Sequence, residues 1–145
     1  MVTTTRNASE VFFRTIDEEP FLEVGEQDVA KINRQVNSSV KWMGGDAETG
    51  PWVYWVKQPA GNRVRPHKHP AKRVEYILDG EIEFYRGDDA LAWWRSDEHI
   101  PGERFGPGTV SYVPADTVYA YYIVTETTLL HVFFENPMHG TVHLD

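Results

Sequence analysis

Two histidines stand one residue apart in "VRPHKHP", at His67 and His69. On an extended strand residues i and i+2 point to one face, so the two imidazoles can converge on one point while Lys68 faces away. Glu75, two residues beyond Arg73 in "KRVEYILDG", shares a strand face with that arginine and can bring a carboxylate to the same place. In "LLHVFF", His131 falls on one face with Leu129 and Phe133, which predicts an inward imidazole. Two imidazoles with a carboxylate or a third imidazole suit one divalent metal ion, Fe(II) first, with Mn, Ni or Zn as alternatives. The plainer readings are a His-x-His pair that is structural and a His131 that is a satisfied core residue.

The elements that must hold these residues read as strands. From Val40 onward, short runs of β-branched and aromatic residues alternate with Gly, Pro and Asp signals, without a sustained helical period. The expected strands are 40–43, 52–58, 74–78, 81–85, 110–113, 118–124 and 128–135. Asp79-Gly80 between two of them predicts a two-residue hairpin, because glycine tolerates the positive φ of a tight turn. "DVAKINRQV", residues 28–36, reads as a short outer helix and residues 94–108 as a polar Pro- and Gly-rich connection. "FLEVGEQ", residues 21–27, reads as an edge strand or a dimer contact.

Composition narrows the chemistry further. The chain of 145 residues fits one domain, and the absence of cysteine removes disulfides, thiolate metal sites and thiol nucleophiles. With 14 Lys and Arg against 22 Asp and Glu, the net charge of -8 disfavours nucleic acid and anionic membranes, which leaves a small molecule as the expected partner. No apolar run is long enough for a signal peptide or a bilayer span, so a cytoplasmic protein is expected.

A family pattern lies over these residues. "GNRVRPHKHP" followed by "YILDGEIEF" resembles the first cupin motif: Gly61, five residues, His-x-His, then a strand ending in Gly80. "GTVSYVPADTVYAYY" resembles the second, with Gly108, five residues and Pro114. The resemblance implies an all-β fold, a double-stranded β-helix or jelly-roll barrel. It implies a single domain over 1–145 with a core at about 40–136, at most one or two short helices, and often a homodimer. It also implies a metal held by two histidines and a glutamate of the first motif and a histidine of the second. Here Arg73 stands where the glutamate is expected and Tyr119 where the second-motif histidine is expected.

These replacements support two mechanisms. In the first, similar to small cupin dioxygenases that cleave carbon-carbon bonds in diketones, phenolic or aromatic ketones, His67 and His69 hold the metal. Glu75, Tyr119 or His131 completes its shell, and Arg73 stabilises developing negative charge. In the second, the permanent charge of Arg73 opposes a dication, and His67, His69, Arg73 and Tyr119 form a metal-free pocket for an anion. His and Tyr then act as base and acid in an isomerase, cyclase or lyase. A non-catalytic ligand-binding cupin is a third possibility, and a simple Arg73 to Glu75 salt bridge a fourth.

Aromatics make up 13% of the chain. Alternation puts Trp52 with Tyr54, and Tyr119 with Tyr121, on shared faces. With Phe133 these residues are expected to line a pocket for a flat ligand, or else to form core and dimer interface. Glu81 and Glu83 alternate with Ile82 and Phe84, which predicts a solvated face. Trp93-Trp94 reads as a lid or a dimer contact.

Overall fold

The computed structural model describes residues 11, 13–19, 39–46, 48–137 and 141–144. The expected helix at 28–36 and edge strand at 21–27 lie outside the described residues. Among the described residues the strands are β1 (Ser39–Gly45), β2 (Trp52–Gln58), β3 (Arg63–Lys68), β4 (Arg73–Arg86), β5 (Glu103–Phe105), β6 (Val110–Val113), β7 (Tyr119–Phe133) and β8 (Val142–His143), with one helix, α1 (Asp88–Arg95), between β4 and β5. All pairings between strands are antiparallel.

The strands form two facing half-sheets that share β4 and β7. One half runs β1, β2, the C-terminal part of β7, the N-terminal part of β4, and β6. The other runs β8, β3, the N-terminal part of β7, the C-terminal part of β4, and β5. This is the jelly-roll architecture expected from the motifs, with the core between the halves.

Asp79-Gly80 does not make the predicted hairpin. β4 continues through it, pairing with β7 on both sides, from Asp79 opposite Thr128 to Glu81 opposite Thr125. The register shifts around Asp79 and Glu81 bend both strands from one half-sheet into the other, as bulges do. Gly80 has φ +95°, and a Cβ there would lie 2.4 Å from Glu126 O and 2.4 Å from Thr127 Oγ1. The glycine is thus required by a close crossing of two strands, not by a tight turn. The separate strands expected at 118–124 and 128–135 are likewise one strand, β7.

Inward alternation builds the core. β2 buries Trp52, Tyr54, Val56 and Gln58, while β7 buries Tyr119, Tyr121, Ile123, Leu129, His131 and Phe133. Trp42 and Trp52 meet edge to face at 5.4 Å, a geometry that adds about 0.5–1.5 kcal/mol to their area burial.

The second half-sheet is covered on its outer side. α1 begins with Asp88 and Asp89 and ends with Arg95, charges that complement the helix dipole. It docks through Ala90 and Trp93, and Trp93 stacks on Tyr85 at 4.4 Å. Trp93 and Trp94 also flank the Arg63 guanidinium, each at 4.7 Å, so the expected lid is a packed outer layer. The connection from α1 to β5 overturns the solvated reading of Glu83, which is 3% exposed. Its carboxylate accepts from the Gly102 backbone N–H at 2.6 Å and Arg104 Nη2 at 3.3 Å, and His99 Nε2 lies 3.1 Å away.

Candidate functional site

The polar residues converge where register demands it. Tyr54 on β2, His131 on β7 and Glu75 on β4 are successive cross-strand partners, forming one row of the first half-sheet. Arg73, two residues before Glu75, occupies the next row, opposite Phe133. From the facing half-sheet come His67 and Tyr119, which are cross-strand partners, and His69, which follows the end of β3. All face the interior: His67 is 6%, His69 7%, Arg73 1%, Glu75 1%, Tyr119 3% and His131 5% exposed.

Arg73 is the hub of this group. Its Nη1 donates to Glu75 Oε2 at 2.8 Å, and its guanidinium carbon lies 4.4 Å from the centre of the Tyr119 ring. The same Glu75 oxygen is 2.6 Å from His131 Nε2. Among the described residues Arg73 Nε and Nη2 are buried without a hydrogen-bond partner, as is His131 Nδ1. Burial alone would push the Glu75 carboxyl up, but the Arg73 charge and His131 outweigh it and hold the group at about 2. Glu75 is therefore an ionised, buried counter-ion.

The two motif histidines are neutral and oriented. His67 Nδ1 donates to the Arg65 carbonyl at 2.7 Å, which leaves the Nε2 lone pair for the cavity. Thr141 gives its hydroxyl proton to the Pro137 carbonyl and so can accept from His69 Nδ1 at 2.8 Å, fixing the same tautomer. Burial drives both imidazoles down, His67 to about 3 and His69 to about 2, with Arg73 adding to the effect in each. The rings meet edge to face at 4.7 Å, and His67 lies 4.4 Å from Tyr119. Burial pushes the Tyr119 phenol up to about 12, so it carries its proton, and its hydroxyl forms no hydrogen bond among the described residues.

Two cavities adjoin this centre, and Tyr119 lines both. The smaller, of about 30 Å³, is bordered by His67, His69, His131, Tyr54, Tyr121 and Phe133, and has room for one or two water molecules. The larger, of about 340 Å³, lies on the other side of Tyr119, between β4, β5 and β6, with Glu75 at its wall. Of the residues expected to line a pocket, Tyr54, Tyr121 and Phe133 do so, while Trp52 packs on Trp42 in the core and borders neither cavity.

His143, Thr141 and Gln58 were not foreseen. His143 borders the smaller cavity, with its ring 5.8 Å from His67. Gln58, fully buried, donates to the Tyr121 hydroxyl at 3.0 Å and accepts from Asn62 at 2.8 Å. A polar residue at an inward strand position is the signal that marks Gln58. His143 and Thr141 lie in and beside a two-residue strand that carries no pattern.

The metal shell implied by the motifs does not fit these side chains. Among the described residues no three His, Asp or Glu side chains are grouped so as to hold an ion. His67 and His69 present two suitable lone pairs, but Glu75 is turned to Arg73 and His131. Where the other donors are expected stand a guanidinium, which has no lone pair to give, and a phenol that carries its proton beside that guanidinium. Arg73 thus supplies the cation of the site from the chain itself.

Solved structures of similar fold place this arrangement in context. An RmlC-like cupin from Shewanella frigidimarina aligns over 90% of this chain and 95% of its own at 14% identity, with a TM-score of 0.61. The polyketide cyclase RemF from Streptomyces resistomycificus aligns over 94% and 87% at 11% identity, with a TM-score of 0.67. The DMSP lyase DddQ from Ruegeria pomeroyi aligns over 99% and 79% at 20% identity, with a TM-score of 0.58. At these identities the likeness is one of fold. No curated protein is significantly similar in sequence. Residues 26–138, which carry both motifs and every strand through β7, match the family described as the ChrR cupin-like domain, and the chain is a member of that cupin family.

Proposed function

We propose that this chain is a cupin enzyme of the isomerase, cyclase or lyase type that moves a proton on a small enolisable carbonyl compound. The observation that carries this reading is the position of Tyr119. It borders both cavities, with the His67 ring at 4.4 Å and the Arg73 guanidinium at 4.4 Å. In the proposed reaction the carbonyl end of the substrate meets Tyr119, and the rest occupies the larger cavity. Removing the proton beside the carbonyl turns the C–H electron pair into a C=C bond and puts negative charge on the carbonyl oxygen. The Tyr119 hydroxyl protonates that oxygen, and the Arg73 guanidinium, 4.4 Å from the Tyr119 ring, stabilises the phenolate charge that Tyr119 is left with. The proton leaves to Nε2 of His67 or His69, through a water molecule in the smaller cavity. Those imidazoles are weak bases in the free protein, and an adjacent anion raises their affinity for a proton as the reaction proceeds.

The test is exchange of substrate C–H for deuterium in D₂O, followed by proton NMR over a panel of small ketones and 1,3-diketones. Tyr119→Phe and His67→Gln are expected to slow exchange by roughly 100-fold or more while circular dichroism is unchanged. Exchange that is indifferent to both variants sinks the reading.

A metal-dependent dioxygenase is the second reading, supported by the two Nε2 lone pairs of His67 and His69 on one face. Elemental analysis of protein purified without chelators decides between the two. One equivalent of Fe, Mn, Ni or Zn that disappears in His67→Ala/His69→Ala, with oxygen uptake on diketones, favours the oxygenase.

A further inference from the structure

The larger cavity has a chemistry of its own. Its volume of about 340 Å³ falls in the range of small-ligand sites, roughly 300–1,000 Å³. Ile77, Ile82, Phe84 and Val113 project into it from both half-sheets and make its body apolar. It lies beside β5 and β6, each of which pairs with β4 alone among the described residues.

Against this apolar body stands a single buried charge. Both contacts of the Glu75 carboxylate, from Arg73 at 2.8 Å and His131 at 2.6 Å, fall on Oε2. Oε1 accepts no hydrogen bond among the described residues, although Glu75 is 1% exposed and borders the cavity. An ionised oxygen with open lone pairs on an apolar wall is a site for a hydrogen-bond donor. The neighbouring charges decide which kind. A carboxylate ligand is repelled by Glu75 itself, Arg86 at the exposed end of the cavity being already paired with Glu103, and an ammonium ligand meets the Arg73 charge beside Glu75. An uncharged hydroxyl on a flat apolar body satisfies both constraints.

We propose that this cavity binds a small neutral phenol-type molecule, its ring against Ile77, Ile82, Phe84 and Val113 and its hydroxyl donating to Glu75 Oε1. This rests on the reading above in one respect, that the cavity is where the substrate lies, and it names the substrate class as a hydroxyaryl compound. Binding itself requires no turnover.

The test is isothermal titration calorimetry of the full chain with 4-ethylphenol, 4-ethylanisole and 4-ethylbenzoate. The anisole keeps the apolar body but has no donor, and the benzoate carries the wrong charge. Expected is measurable binding of the phenol, weaker binding of the anisole by about tenfold or more, and weaker binding still of the benzoate. Ile82→Trp, which fills the cavity from the wall opposite Glu75, is expected to abolish phenol binding. Val113→Phe serves the same purpose should that variant fail to fold. Equal affinity for phenol and anisole, preference for the benzoate, or phenol binding that survives a folded cavity-filling variant overturns the proposal. Phenol binding in a protein that exchanges no substrate proton upholds this site and sinks the proposed reaction. Exchange lost in Tyr119→Phe without any phenol binding does the reverse.

Discussion

Removing the Arg73 charge while keeping most of its volume tests the polar centre most directly, and Arg73→Met does that. In the native protein the Glu75 carboxyl is depressed from 4.5 to about 2 in spite of complete burial. At 1.36 kcal/mol per unit this corresponds to about 3 kcal/mol of stability at neutral pH. Taking one partner from a buried ion pair costs about 3–5 kcal/mol by a separate line of evidence, because the remaining charge is left desolvated. The two figures agree, so Arg73→Met is expected to lose about 3–4 kcal/mol at pH 7.5, or roughly 10 °C in Tm for a chain of this size. The pH dependence has a definite sign. With Arg73 present, the Glu75 contribution is in place above pH 4.5 and is lost as pH falls from 4.5 through about 2. With Arg73 gone, burial dominates and raises the carboxyl, so the deficit of the variant is largest at neutral pH and shrinks as the medium is acidified. Urea denaturation at pH 7.5 and pH 5 measures both. Arg73→Met/Glu75→Gln, which removes both charges, is expected to recover more than half of the loss at pH 7.5. A single variant within about 1 kcal/mol of wild type, or a double variant less stable than the single, would refute the view of Arg73 as the resident counter-ion of Glu75.

Three further outcomes follow from the same geometry. The imidazoles of His67 and His69 sit at about 3 and about 2 against an ordinary 6.5, so the unfolded chain binds protons that the folded chain refuses. Stability is therefore expected to fall as pH drops from 6.5 towards 3, by up to about 2.7 kcal/mol per pH unit, and His67→Gln/His69→Gln should flatten that slope in guanidinium titrations. Gly80→Ala is expected to cost more than about 2 kcal/mol by thermal denaturation, since φ is +95° and the new Cβ meets backbone and side chain at 2.4 Å. Arg73→Glu replaces the resident cation with a carboxylate beside two imidazole lone pairs. It should take up about one equivalent of Zn(II) or Ni(II) in dialysis experiments, with loss of the metal on adding His67→Ala.

The inward residues were legible because strands packed on one side obey a period of two. Arg73 with Glu75, and His131 with Leu129 and Phe133, could be placed on their faces from spacing alone. What alternation does not carry is the layer beyond a strand. Glu83 has the same pattern as a solvated residue and is buried because the connection after α1 and the start of β5, through His99, Gly102 and Arg104, close over it. The bounds of β3 could not be read beyond the extended His-x-His pair, because "RVRPHK" holds a proline and three cations, residues with little preference for extended pairing. Asp79-Gly80 misled because the same positive φ serves a hairpin turn and a bend between sheets, and the choice is made by a partner strand distant in sequence, in which Thr128 faces Asp79. An eight-residue helix such as α1 offers barely two turns of periodicity against which to recognise it.

The passage of β4 and β7 through both half-sheets has a consequence for how the molecule can open. Neither half can separate as a unit, because doing so would break strands that the other half needs. Amide protons of Ile82 and Ile123 on one side of the bend, and of Glu75 and His131 on the other, should exchange with solvent only on global unfolding, all with one opening free energy under native conditions. The carboxylate on β4 and the histidines facing it are then held in fixed relation through every smaller fluctuation. Among the described strands the outer ones, β1, β5, β6 and β8, are left to fray, and β5 and β6 border the larger cavity.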